Sequence, residues 1–105
     1  MIRQLRFTTV AKDQLESLRD NTRFSALYKQ VCKALGYLET NPAHPGLRTH
    51  KFTSLQGKND EEVFEAYAQN STPSAYRIFW HYGPDEHTGQ KRISIITIIA
   101  LTSHP

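Results

Sequence analysis

The feature that most constrains the fold is a pair of apolar segments in the last third of the chain. Residues 76–82 have the sequence YRIFWHY, and residues 93–101 have the sequence ISIITIIAL. Both are rich in β-branched and aromatic residues, which favour the middle of a sheet. A short polar stretch separates them, and sequential strands joined by short loops are mostly antiparallel. The sequence therefore predicts two adjacent strands at the centre of a sheet.

The preceding part of the chain predicts a strand, two helices and further strands. Residues 2–8 alternate weakly, and Thr8 or Thr9 can cap a helix that follows. In the second helix, apolar residues recur at spacings of three and four, namely Phe24, Leu27, Val31, Leu35 and Leu38. Two prolines and a glycine in residues 41–46 end that helix.

Residues 47–55 predict a connection followed by a short strand, and residues 62–69 predict a further strand, which completes the fold class. We expect an α+β fold with an N-terminal strand and a two-helix hairpin. A three- or four-stranded, mainly antiparallel sheet follows, with the helices on one face. No repeat or second domain is evident, so residues 1–105 are interpreted as a single domain.

Composition narrows the class of protein. The formal net charge of +3 is a modest bias towards anionic partners such as nucleic acid or an acidic protein. No window approaches the roughly 18 apolar residues of a membrane span. The N-terminal residues lack the apolar run of a secretory signal. The chain has one cysteine, Cys32, which cannot form an internal disulfide. These features predict a cytoplasmic protein without a membrane partner.

The histidines do not predict a metal site. They are scattered along the chain, at His44, His50, His81, His87 and His104. No pair has the close spacing that is typical of zinc ligands. The sequence therefore predicts neither a metal nor a cofactor.

Strand parity separates a core face from a polar face. The larger apolar set, assigned to the core beneath the helices, is Tyr76, Ile78, Trp80 and Tyr82, with Phe64, Ala66 and Ala68 from residues 62–69. The opposite, open face is then expected to present Arg77, Glu65, Tyr67 and His81, with His104 near its rim. Two interpretations of Arg77 are equally compatible with the residues, an ion pair with Glu65 or a role facing a ligand. Arg48, His50 and Lys51 form a small basic cluster, interpreted as a solvated loop.

The order of elements and several short strings resemble the RelE/ParE superfamily of toxins from bacterial toxin–antitoxin pairs. The strings are LETNP at 38–42, THKF at 49–52, VFEAY at 63–67, AYRIFW at 75–80 and IIALTSH at 98–104. The string at 75–80 is the strongest of them. The resemblance extends over nearly the whole chain.

This resemblance implies a small toxin that is neutralised by an antitoxin protein. RelE-like members are metal-free endoribonucleases that cleave mRNA on the ribosome and so inhibit translation. Carried over by position, Arg77 would hold the scissile phosphate and His104 would transfer protons, with Glu65 as a base or as the partner of Arg77. Lys51, Arg48, Tyr67 and His81 would contact RNA. The lysines of the RelE pattern are absent from residues 63–67, where this chain has Val63, Glu65 and Tyr67.

Two further hypotheses follow from the same resemblance. The ParE branch acts on DNA gyrase without hydrolysing RNA, so a non-catalytic toxin that binds a protein target is one alternative. The other is an interaction module whose sheet face or edge takes up an antitoxin strand or helix.

Overall fold

The structure, a computed structural model, describes residues 2–69 and 74–103. The helices are α1 (Thr9–Arg19) and α2 (Ser25–Thr40), with short 3-10 turns at Thr22–Phe24 and Pro45–Leu47. The strands are β1 (Gln4–Phe7), β2 (His50–Gln56), β3 (Glu62–Tyr67), β4 (Arg77–Tyr82), β5 (Glu86–Thr88), β6 (Lys91–Ile93) and β7 (Ile95–Thr102).

The main sheet has five strands in the order β1-β7-β4-β3-β2. Strands β7, β4, β3 and β2 pair antiparallel, and β1 pairs parallel with β7. The coarse prediction of an α+β fold with two helices and a mainly antiparallel sheet is confirmed. The stretch predicted as a loop between the two central strands contains a separate hairpin, formed by β5 and β6.

The helices cover the face of the sheet that strand parity assigned to the core. Thr8 begins α1 as its N-cap, because its hydroxyl accepts a hydrogen bond from the Ala11 amide at 3.2 Å. The helices contribute Ala11, Leu18, Val31, Ala34, Leu35 and Leu38 to a cluster with Ala66, Ile78, Trp80, Ile96, Ile98 and Leu101.

Phe24, predicted for the apolar stripe of α2, is instead 37% exposed at the N-cap position. Within the described residues, neither helix is long and apolar enough to cross a membrane.

The opposite face is not open, and the prediction of an exposed polar face is wrong for much of its length. Strand β2 pairs with β3 at Lys51–Phe64 and again at Gln56–Glu62, so β2 has extra residues between these two points. This irregularity places Phe52 and Leu55 against a second buried cluster of Val63, Phe79 and Ala100. The rings of Phe52 and Phe79 pack edge to face, with their centroids 4.9 Å apart.

The turn that leads into β5 is held by Asp85. Its Oδ1 atom accepts a hydrogen bond from the Ile95 amide at 3.0 Å, and its Oδ2 atom accepts one from Nε of Arg92 at 2.8 Å. These contacts, the Ile95 amide first, hold the pKa of Asp85 below its ordinary value of 3.8. The contacts connect the hairpin to the start of β7.

We therefore expect the Asp85→Asn variant to be less stable than the parent at neutral pH. The folded-state pKa is lowered, so the contribution of this carboxylate is complete above about pH 4 and is lost as the pH falls through the folded value. Urea unfolding of both proteins over a pH series measures the difference, which should shrink in acid. An equal difference at neutral pH and in strong acid would contradict the assignment.

Candidate functional site

A buried carboxylate lies at the centre of the candidate site. Glu65, in β3, is 2% exposed and lies between Arg77 of β4 and His50 of β2. Arg77 Nη1 is 2.9 Å from Glu65 Oε2, and His50 Nε2 is 2.5 Å from Glu65 Oε1. A carboxylate removed from water needs such partners, because desolvation of an unpaired charge is costly. We call Glu65, Arg77, His50 and the neighbouring Tyr67 the Glu65 cluster.

Strand register brings this cluster together. His50 pairs with Glu65 across β2 and β3, and Tyr67 pairs with Arg77 across β3 and β4. The Tyr67 ring centroid is 5.8 Å from Cζ of Arg77 and 5.9 Å from the His50 ring centroid. The second terminal nitrogen of Arg77, Nη2, donates to the carbonyl oxygen of Ser103 at 2.5 Å, which ties the cluster to the residue after β7.

The contacts of His50 define where protons lie. Its Nδ1 atom is 3.0 Å from the carbonyl oxygen of Arg48, which can only accept, so a hydrogen bond at this contact requires a proton on Nδ1. The contact between Nε2 and Glu65 requires a second proton, on the imidazole or on the carboxyl group. The contact between His50 and Glu65 lies in a site with little solvent on the Glu65 side.

A cavity of about 500 Å³ lies next to the cluster, between α2 and the end of β3, and Tyr67 forms part of its wall. The rings of Tyr37 and His44 stack on another wall, with centroids 3.9 Å apart and planes 8° apart. Nζ of Lys33 lies 5.9 Å from the Tyr37 ring centroid. Aromatic rings beside a lysine suit an anionic ligand with a flat group. We call this space the α2 cavity.

The predicted RNA-contacting residues fall in different environments. Lys51 is exposed and paired with Glu62 at 2.8 Å, which raises the pKa of Lys51 and keeps its ammonium group charged at neutral pH. Arg48 is exposed and has a left-handed backbone, with a φ angle of 49°. His81 is only 4% exposed, so the expectation of a surface position is wrong. Its Nδ1 atom lies 3.0 Å from the carbonyl oxygen of Tyr82, which is a contact within β4. His81 is therefore not placed to contact RNA at the protein surface.

The structure joins two of the three predicted catalytic residues. Arg77 and Glu65 form the ion pair that was one of the two interpretations of Arg77, and the Arg77 side chain is 16% exposed. His104 lies outside the described residues, so its role stays a prediction. His50 is the functional candidate that sequence reasoning assigned to a solvated loop. The sequence signal that could have identified His50 is its position in a basic cluster at the start of a strand. Only the register between β2 and β3 shows that His50 meets Glu65.

Comparisons with known proteins do not assign the chain to a family. No protein-family model, curated protein or solved structure matches it. The fold and the site by themselves describe an α+β protein in which a buried cluster of Glu65, Arg77 and His50 lies beside a cavity. The resemblance to RelE/ParE toxins stays a prediction.

Proposed function

We propose that the chain is a RelE-like toxin that cleaves mRNA, using the Glu65 cluster as its proton-transfer site. The observation that carries the proposal is the buried Glu65 carboxylate held 2.5 Å from the half-exposed His50 imidazole. A buried acid that orients an imidazole is a recurring way of making a general base. Glu65 is too buried to meet RNA directly, so its effect passes through His50.

The proposed reaction is attack by a ribose 2′-hydroxyl on the adjacent phosphate. For His50 to act as the base, the contact between Nδ1 and the Arg48 carbonyl oxygen must first open and Nδ1 must lose its proton to solvent, while Nε2 keeps its proton in the contact with Glu65. The ribose hydroxyl replaces the Arg48 carbonyl oxygen beside Nδ1 and gives its proton to that nitrogen. The 2′-oxygen bonds to phosphorus as the bond to the 5′-oxygen breaks, which leaves a cyclic phosphate. The 5′-oxygen takes up a proton, a role for which His104 remains the candidate.

Arg77 has a different task in this scheme from the one that the resemblance implied. Its two terminal nitrogens contact Glu65 and Ser103, so the guanidinium group acts first as the partner that holds the Glu65 side chain in place. Phosphate contacts then come from Arg48, an exposed cation that precedes β2, whereas Lys51 alternates to the other face of β2 and pairs with Glu62. Tyr67 supplies an aromatic face for a base, as in other single-stranded RNA sites.

The partners follow from the same proposal. The substrate would be mRNA on the ribosome, and an antitoxin protein would neutralise the toxin. The site of action would be the cytoplasm, where ribosomes are found. The positive net charge of +3 favours both an RNA and an acidic antitoxin.

One observation favours a second candidate function. Because both terminal nitrogens of Arg77 are engaged, the arginine can also be interpreted as purely structural. The chain would then be a non-catalytic, ParE-like toxin or an interaction module that acts by binding a protein such as DNA gyrase. That alternative requires no proton transfer at His50.

Purified protein added to a translating ribosome system tests the proposal. We expect cuts in the mRNA at the ribosomal A site, detected by primer extension, and arrest of peptide synthesis. The same mRNA without ribosomes is the control for a contaminating nuclease. Arrested growth with intact mRNA and inhibited gyrase would instead support the second candidate.

A further inference from the structure

The α2 cavity has a polar lining for which the proposed reaction has no use. Lys33 and His44 line it with the side-chain amides of Gln30 and Gln69, and none of the described lining residues is acidic. Within the described part of the chain, Lys33 forms no ion pair, so its ammonium group is available to a ligand. The cavity volume of about 500 Å³ is within the usual size of small-molecule sites.

Two contacts fix the orientation of His44 in this wall. Its ring stacks on Tyr37, with centroids 3.9 Å apart and planes 8° apart. Its Nδ1 atom accepts a hydrogen bond from the Gly46 amide at 3.0 Å. A Cβ atom at position 46 would lie 3.0 Å from Nδ1 and 3.1 Å from Cε1 of His44, which is closer than most such contacts. Glycine at position 46 therefore lets the backbone approach the ring.

The same contacts determine which nitrogen of His44 can donate to a ligand. A backbone N–H only donates, so the hydrogen bond from Gly46 requires an unprotonated Nδ1 and leaves the ring proton on Nε2. Tyr37 covers one face of the ring, and Gly46 meets its Nδ1 edge. The Nε2 edge has no hydrogen-bond partner among residues 2–69 and 74–103. His44 thus offers an oriented N–H donor close to a cation.

We infer that the α2 cavity binds a phosphate group of the RNA strand through the ammonium group of Lys33 and the Nε2–H of His44. Phosphate oxygens accept charge-assisted hydrogen bonds, and no carboxylate among the described lining residues would repel them. The cavity borders the Glu65 cluster, because Tyr67 lines it and the Tyr67 ring centroid is 5.9 Å from that of His50. The inference rests on the proposed function in taking RNA as the ligand, and it adds a phosphate contact beyond the cleaved bond.

The backbone amides of Gly46 and Ala68, two residues that line the cavity, report binding in ¹H–¹⁵N spectra of the whole protein. Millimolar uridine 5′-monophosphate should shift both resonances, and uridine, which lacks the phosphate, should bind at least about tenfold more weakly. The Lys33→Ala variant should bind the monophosphate about tenfold more weakly than the parent, the loss expected for one charge-assisted hydrogen bond.

Lys58→Ala is the matched control, because it removes the same charge from the turn before β3, whereas the cavity lies at the other end of that strand. It should bind as the parent does. His44→Phe keeps a ring that can stack on Tyr37 but has no ring nitrogen. It should also bind more weakly, with the Ala68 resonance as the readout, and parental affinity would reject His44 as a donor.

Unshifted cavity resonances, or equal affinity of Lys33→Ala and the parent, would overturn the inference. A free nucleotide carries the same phosphate group as RNA. A short single-stranded oligonucleotide should therefore bind more tightly than the monophosphate, since its chain also reaches the Glu65 cluster. Equal affinity of the two would overturn RNA as the source of the phosphate.

The binding measurement does not depend on cleavage. Phosphate binding without mRNA cuts would reject the proposed reaction and retain the site. Cuts in the mRNA without phosphate binding would reject the site alone.

Discussion

Replacing Arg77 by methionine should destabilise the protein by about 3 kcal/mol, the lower end of the cost of breaking a buried ion pair. The side chains of Arg77 and Glu65 are 16% and 3% exposed, so the pair is poorly solvated. Loss of the guanidinium leaves Glu65 with His50 as its remaining side-chain partner and also removes the contact to Ser103. Urea unfolding followed by circular dichroism measures the change in free energy of unfolding.

The double variant Arg77→Met with Glu65→Leu separates a lost contact from an uncompensated charge. It should recover much of the lost stability, because apolar residues replace both members of the pair. Arg92→Met is the matched control, since its ion pair with Asp85 is 70% exposed on the arginine side and should matter much less. A double variant that is less stable than Arg77→Met would show that burial of the Glu65 charge is not the cause.

Replacing His50 by glutamine should lower mRNA cleavage by about 100-fold or more, the range typical of a lost general base. The amide of the introduced glutamine can still donate a hydrogen bond to Glu65, so the carboxylate keeps a partner while proton transfer is lost. His50 is 51% exposed on its side chain, so we expect little change in unfolding free energy. The rate of cleavage on ribosomes, with primer extension as the readout, measures the effect.

His87→Gln is the matched control, because His87 is an exposed histidine on the β5 strand. It should cleave mRNA at the parental rate. Glu65→Gln should lose activity in the same way as His50→Gln, since the two residues act as one unit. Full cleavage by a folded His50→Gln variant would reject the role of the cluster as a base and would favour the protein-binding alternative.

Much of the fold could be predicted because its determinants are local. The spacing of Val31, Leu35 and Leu38 gave α2 its buried side, and strand alternation separated Ile78 and Trp80 from Arg77 and Phe79 correctly. The β5–β6 hairpin escaped prediction because its residues are polar apart from Ile93 and its strands have three residues each. Such short strands lack a hydrophobic period.

The errors concern what covers the polar face, which periodicity does not specify. Strand β2 departs from regular pairing between Lys51 and Gln56, and its apolar side chains Phe52 and Leu55 pack on Phe79. For this reason the sequence predicted an open face, whereas part of that face is a second core. His81 and Glu65 are also buried on that face, at 4% and 2% exposure.

The sequence by itself determined the α+β class, the capped first helix and the side of the sheet on which Arg77 and Glu65 lie, because helix and strand periods are properties of neighbouring residues. Only the tertiary structure decided that Arg77 is held by Glu65 and that His50 contacts the same carboxylate. Those contacts depend on register between separate strands. Register is set by packing across the whole sheet.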